Sequence, residues 1–479
     1  MMNCATAGLV PYVPTADQPW NRQRAVHLHR RAGFGTSITT VMADLNRNPL
    51  DVVADLISAA EALPLSPEPA FANKTRAEYG LALLESTLEI GGWSRQWIID
   101  LQQNGLRGRM AFFWHNHFVT RFDVYESSGY TYQYHKLLQQ HALGNFRDFV
   151  RAIGLTPAML IFLNGAQNEA GSPNENYGRE LYELFTLGVD NGYTQQDIEE
   201  TARALTGYTN ITEAWGPILF DPAKHDDGEK TIFGRTGNWG YDDVIDLLFE
   251  ERAERVAAYI AVELYRRFVN PAVDEVMVSL LASTLRENDW ELAPTLRILF
   301  SSSHFFDEKN FGTIIEGHIE HQLILLNEIG TTLNGLSVFT DSAGATEQGQ
   351  VLFSPVDVAG WPGNRAWINT TSIRYRWDYQ ASRIGAASLF NFAYFQELVR
   401  SATDETLDVE IICRDLVHYF LPQGLQFAED YAAALVSFKG EIPENYFQNG
   451  NWTVNYWATP FQLGGLLNYL GLLPEFQLR

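Results

Sequence analysis

Apolar residues recur three and four positions apart along most of this chain, while runs that alternate apolar with polar residues are few. That spacing is the period of an amphipathic helix, so it predicts helix after helix rather than a sheet. Two stretches, about 208–240 and 331–375, break the pattern with Gly, Pro, Asp and Asn. Irregular segments of that length in a compact protein are more often functional than idle. The expected fold is therefore mostly α, a large multi-helical unit with two long irregular loops and room for minor β structure in the second. Residues 1–20 read as a proline-bearing arm, and 21–479 as one helical domain without internal repeats.

Local signals sharpen some elements. Helices are expected over 21–31, 37–47 and the run DVVADLISAAEAL, then as one long stretch from 75 to 104, followed by the FWHNHF helix. Ser172-Pro173-Asn174-Glu175 has the order of an N-cap, a first-position proline and an acid in the first turn. Thr194-Gln195-Gln196-Asp197 resembles a capping box, and Gly207 suits a helix stop.

Charge narrows the partners. The net charge is −24, from 34 Lys+Arg against 58 Asp+Glu, and no basic run occurs. Nucleic acid is discounted, because its binding rests on clustered cations. Two cysteines, Cys4 and Cys413, exclude a disulfide framework or a cysteine metal site. The first twenty residues lack the basic and apolar regions of a secretory signal. No apolar run reaches the roughly 18–20 residues that span a bilayer, so no transmembrane segment is expected.

Four clusters could carry chemistry. His115 and His117 sit in FWHNHF, inside an aromatic and aliphatic run. At about 100° per residue, His117 shares a stripe with Leu106, Met110, Phe113 and Trp114, whereas His115 points the other way with Ala111 and Phe118. One unbroken helix cannot aim both at one metal. Of the two, His117 is expected to face the second cluster, NENYGRELYELFTLG (174–188). There Glu180 and Glu183 fall on one stripe and can share a cation or tune each other's pKa, with Arg179 beside them. The plainer alternative is a solvated acidic face in which Arg179 pairs with Glu175 or Glu183. The third cluster, His225-Asp226-Asp227-Gly228, offers an imidazole and two carboxylates to a divalent metal, or forms an ordinary Asx turn; Lys230 and Arg235 follow as candidate anion grips. The fourth, HLHRRAGFG (27–35), brings Arg30 and Arg31 to a glycine turn as a possible anion holder. No P-loop, HExxH or nucleophile elbow is present.

In order, the stretches HLHRRAGFG, FWHNHFVT, HALGNFRDFVRAI, NENYGRELYELFTLGV, YTQQDIEETARALTGY, FDPAKHDDGEKTIFGRTGN, GQVLFSPVDVAGWPGNRAWI and LPEFQLR resemble the bacterial family of domain of unknown function 1800. The likeness runs from about residue 19 to the end. Two departures stand out: Phe162-Leu163-Asn164-Gly165 where relatives carry an acid, and Gly312-Thr313-Ile314-Ile315-Glu316 in place of a Lys-Ser-Pro helix entry. The resemblance implies export in many members and a partner from a family that looks like alkaline phosphatases or sulfatases. It supplies no activity.

The leading expectation is a metal-dependent, hydrolase-like enzyme. A divalent ion of unspecified identity would be held by His115 or His117 with His225, Asp226 or Asp227, and Glu180, Glu183, His117 and Arg179 would act on the substrate. The alternatives are a metal- or haem-dependent oxidoreductase and a non-catalytic envelope protein that binds glycans or a partner through aromatics such as Trp361, Trp367, Trp452 and Trp457.

Overall fold

The computed structural model describes residues 9–79, 83–210, 216–334, 344–403 and 407–479. Helices make up most of it, and the only sheets among these residues are two small antiparallel pairs. Strand β1 (Tyr208–Asn210) pairs with β2 (Ile218–Phe220), and β3 (Lys230–Ile232) with β4 (Arg235–Gly237). Both lie inside the first irregular stretch. The second irregular stretch contains no strand among its described residues, and it ends earlier than expected. Asn369 accepts from the backbone of Thr371 and Ser372 at 3.0 and 2.9 Å and starts the helix Thr370–Phe390. Residues 335–343 fall outside the description.

Caps place several boundaries where the sequence put them. Thr194 and Asp197 form the reciprocal capping box, at 2.8 and 3.1 Å, that opens Gln195–Ala204. Two boundaries differ. The long stretch from 75 to 104 is divided into a short 3₁₀ turn, Arg76–Tyr79, and the helix Leu84–Gln103, with 80–82 outside the description. Glu78 binds the amide and hydroxyl of Thr75 at 2.7 and 3.0 Å, which holds that turn. Ser172 does not cap a helix. Asn168 takes the amide of Asn174 at 2.9 Å and Asn174 takes that of Asn176 at 3.0 Å, so helix begins only at Asn176.

The apolar residues gather into two cores. The larger surrounds the helix Gly105–His117, whose residues Leu106 to His115 are all buried; a helix apolar on every side belongs in an interior. It packs on the helices Leu84–Gln103 and Ser128–Gln140. The second core joins the later helices, including Val409–Phe420 and Thr459–Leu472, to the helices Arg22–Arg31 and His318–Glu328. Residues 9–12 are tied to the body by hydrogen bonds to 301–303. Among the described residues, no helix is long and apolar enough to cross a membrane.

Candidate functional site

The geometry separates the two histidines of FWHNHF. The amide of Phe353 donates to Nε2 of His115 at 3.1 Å, which makes that nitrogen the acceptor. Nδ1–H therefore donates to the Tyr134 hydroxyl at 3.0 Å, and Tyr134 donates to the Phe118 carbonyl at 2.8 Å. His115 is fully buried, with its pKa pushed down to about 3 by desolvation. Both ring nitrogens hold the core together.

His117 is arranged differently. Its Nε2 lies 3.0 Å from the carbonyl of Phe185, which can only accept, so Nε2 carries the proton and Nδ1 keeps its lone pair. Burial pushes its pKa down to about 4. The residue is only partly enclosed and lines a cleft of about 500 Å³. His117 thus faces the 174–188 stretch, as its stripe predicts.

The Phe185 carbonyl is available because the backbone changes pitch. Asn176–Glu180 is α-helical, but Leu181–Thr186 is a π turn, closed by the Leu187 amide on the Tyr182 carbonyl at 2.8 Å. The wider turn breaks the α-helical wheel used for Glu180 and Glu183. Leu187 is fully buried, while Glu183 accepts from Arg179 at 3.2 Å and Arg179 also reaches Glu175 at 2.9 Å. Arg179 and Glu183 thus form the solvated ion-pair face. Glu180 is half-buried, and desolvation together with Glu183 raises its pKa. Neither acid lines the cleft, although their neighbour Leu184 does.

The opposite wall comes from the helix Ala253–Phe268. Tyr259, Glu263, Arg266 and Arg267 line the cleft from this helix. Tyr259 donates to the Leu184 carbonyl at 2.8 Å and bridges the two walls. Burial raises the pKa of Glu263, opposed by Arg266, whose guanidinium lies 3.3 Å away. Arg267 is held at 3.0 and 2.9 Å by Glu316 and Glu320.

The third wall is the 358–364 loop. Asn116 fixes it: its Oδ1 accepts from the Trp361 amide at 2.7 Å and its Nδ2 donates to the Trp361 carbonyl at 3.4 Å. Gly360 makes this approach possible. Its φ is +83°, and a Cβ there would stand 2.5 Å from Oδ1 of Asn116. The buried Trp361 and the half-buried Trp367, with ring centroids 6.4 Å apart, then line the cleft.

The remaining predicted site residues are engaged elsewhere and do not line this cleft. His225 donates from Nδ1 to the Thr206 carbonyl at 3.0 Å. Asp226 receives Arg203 at 2.8 and 3.2 Å and the Gly228 amide at 2.8 Å, an Asx turn, and the Arg203 hydrogen bond lowers its pKa. Asp227 is exposed. Lys230 is buried, bound to the carbonyls of Asp226 and Gly228, and Arg235 pairs with Glu251 at 2.6 Å. Arg30 grips Glu328 at 2.6 and 2.9 Å, and Arg31 donates to the Asn310 carbonyl at 3.1 Å and the Thr313 hydroxyl at 3.0 Å. Among the described residues, no three His, Cys, Asp or Glu side chains gather where one ion would reach them all.

Sequence reasoning missed Glu263, Tyr259, Arg266, Arg267 and the clamp by Asn116. The first three recur at i, i+4 and i+7 on one helical face, the single pattern that could have revealed them. No curated protein and no solved structure matches the chain. A family model does, that of the protein of unknown function DUF1800, over residues 27–478. The helices and loops that build the cleft all lie within that span, and the chain belongs to the DUF1800 family.

Proposed function

We propose that this chain is a hydrolase-like enzyme working by acid–base catalysis in the cleft between the helices Gly105–His117 and Ala253–Phe268 and the 358–364 loop. The observation that carries the reading is a pair of titratable groups with opposite tendencies on one cleft. His117 is neutral, with its tautomer fixed and Nδ1 as acceptor, while Glu263 is pushed toward its protonated form. Shifts in these two senses are how one site divides the roles of base and acid between two groups. His117 Nδ1 would take a proton from an attacking water as Glu263 gives its own to the leaving group; the proton gained by His117 then returns to Glu263 through solvent. Trp367, half-buried on the cleft wall beside the buried Trp361, offers aromatic surface for a ring-bearing substrate such as a saccharide.

The test is turnover of chromogenic esters, glycosides and phosphodiesters by the wild type, Glu263→Gln and His117→Gln. Loss of one acid or base group is expected to lower kcat by roughly 10²–10⁴-fold. A wild type that binds a panel member through the cleft tryptophans but turns none over would overturn the enzymatic reading in favour of a binding site. In the metal-dependent form of the reading, His117 and Glu263 would be the cleft side chains to hold a divalent ion, which would supply a polarised water or substrate oxygen. Metal analysis before and after reconstitution tests that form, and a protein that neither retains nor rebinds a divalent ion would dismiss it.

A further inference from the structure

The wall of the cleft that carries Arg266 and Arg267 is backed by more guanidinium than carboxylate. Glu316, one residue beyond the lining residue Ile315, receives Arg109 on one oxygen and Arg267 on the other at 3.0 Å. Its backbone carbonyl takes Arg376 at 2.7 Å, and Arg31 adds its charge nearby. Glu320 is shared by Arg267 at 2.9 Å and Gln350 at 2.7 Å. Together with Arg266 and Glu263, five guanidiniums meet three carboxylates, and one of those carboxyls is displaced toward neutrality by burial. Arginine cannot shed the excess by deprotonating.

The unpartnered hydrogen-bonding atoms point the same way. On the residues that line the cleft, the described buried side-chain atoms without a partner are both donors: Nε of Arg267 and Nε1 of Trp361. Trp361 is 5% exposed, while Arg31 and Arg109, completely buried behind the wall, do not line the cleft and add only their charge. Buried donors lacking acceptors cost about 1–3 kcal/mol each and are met by something that accepts. An anionic oxygen group accepts several bonds and donates none.

We infer that the cleft takes an anionic ligand, one bearing a carboxylate, phosphate or sulfate group held against the wall of Arg266 and Arg267. This rests on the cleft being the substrate site and narrows the substrate to an acidic one, such as a uronic acid or a sugar phosphate. The local excess is set within a chain of net charge −24, so it marks one spot rather than a general attraction.

The experiment is a titration followed by intrinsic tryptophan fluorescence at fixed ionic strength, with glucose 6-phosphate, glucuronate, inorganic phosphate and glucose as probes. At least one anionic probe is expected to saturate the signal about tenfold or more tighter than glucose, a difference of about 1.4 kcal/mol. Arg266→Gln, at a side chain 55% exposed and outside the buried network, is expected to weaken anionic probes three- to tenfold and leave glucose unchanged. Glucose binding as tightly as its acidic counterparts overturns the inference while leaving the cleft as a binding site, and so does an anion affinity untouched by Arg266→Gln. If no probe alters the emission, and Trp361→Phe shows that Trp361 contributes to it, the cleft reading falls and this inference with it.

Discussion

Removing the imidazole of His115 strands the Phe353 amide, takes away the bond that the Tyr134 hydroxyl accepts, and leaves a cavity beside Trp97 and Trp361. Cavity and lost hydrogen bonds add, so His115→Ala is expected to cost about 3–5 kcal/mol, read from the urea midpoint. His117→Gln keeps a donor for the Phe185 carbonyl and should change stability by less than about 1 kcal/mol while removing the cleft base. Equal destabilisation by the two changes would refute the division of labour between them. The helical wheel made half of this readable: it put the histidines on opposite faces and chose His117 as the one that meets 174–188. It could not show that His115 would find two partners, since Tyr134 and Phe353 come from distant segments. Glu263 was hidden for a different reason. A single acid on an ordinary amphipathic helix looks solvated until the opposing wall is known.

Among the elements, the 358–364 loop stands on one glycine. Gly360→Ala demands a positive φ from an L-residue and drives Cβ into Asn116, so the loop must shift. The expected outcome is a loss of about 1–3 kcal/mol with a changed tryptophan emission spectrum. An unchanged spectrum in a stably folded variant would show that the loop tolerates the side chain. The π turn at Leu181–Thr186 is the other decisive element. Nothing in NENYGRELYELFTLG distinguishes it from α-helix by periodicity, and a small change of pitch moved Leu187 into the core. By contrast, the Thr194 box is local chemistry and was legible at once, whereas the cap expected at Ser172 does not form and helix begins at Asn176.

At the scale of the molecule, buried histidines dominate the acid response. His27, His115, His117, His135, His318 and His321 all have pKa values pushed below the ordinary range, chiefly by burial. A depressed histidine is neutral in the fold and protonates first in the unfolded chain. Its stabilising effect is thus full above about pH 6.5 and is lost as pH falls toward the folded value, about 4 for His117 and about 3 for His115. Each such group contributes up to about 1.4 kcal/mol per pH unit within that window. The raised carboxyls of Glu180 and Glu263 act in the opposite sense but are fewer. Urea midpoints should fall steadily between pH 6.5 and 4.5, and a flat profile would contradict the buried neutral histidines. The mostly helical class was visible from spacing alone. The two-core arrangement was not, because it depends on contacts between the first helix and segments some three hundred residues later.

The carboxylate of Glu316 also fixes an order of assembly. Arg31, Arg109 and Arg267 all precede it in the chain; Arg109 and Arg267 bond to it, and Arg31 lies near enough to feel its charge. As the polypeptide emerges from the ribosome, these three cations have no common counterion until residue 316 has been made, and Arg376 joins later still. A partly synthesised chain therefore lacks the carboxylate that pairs Arg109 and Arg267, and the inner wall of the cleft can be completed only after residue 316 has been made.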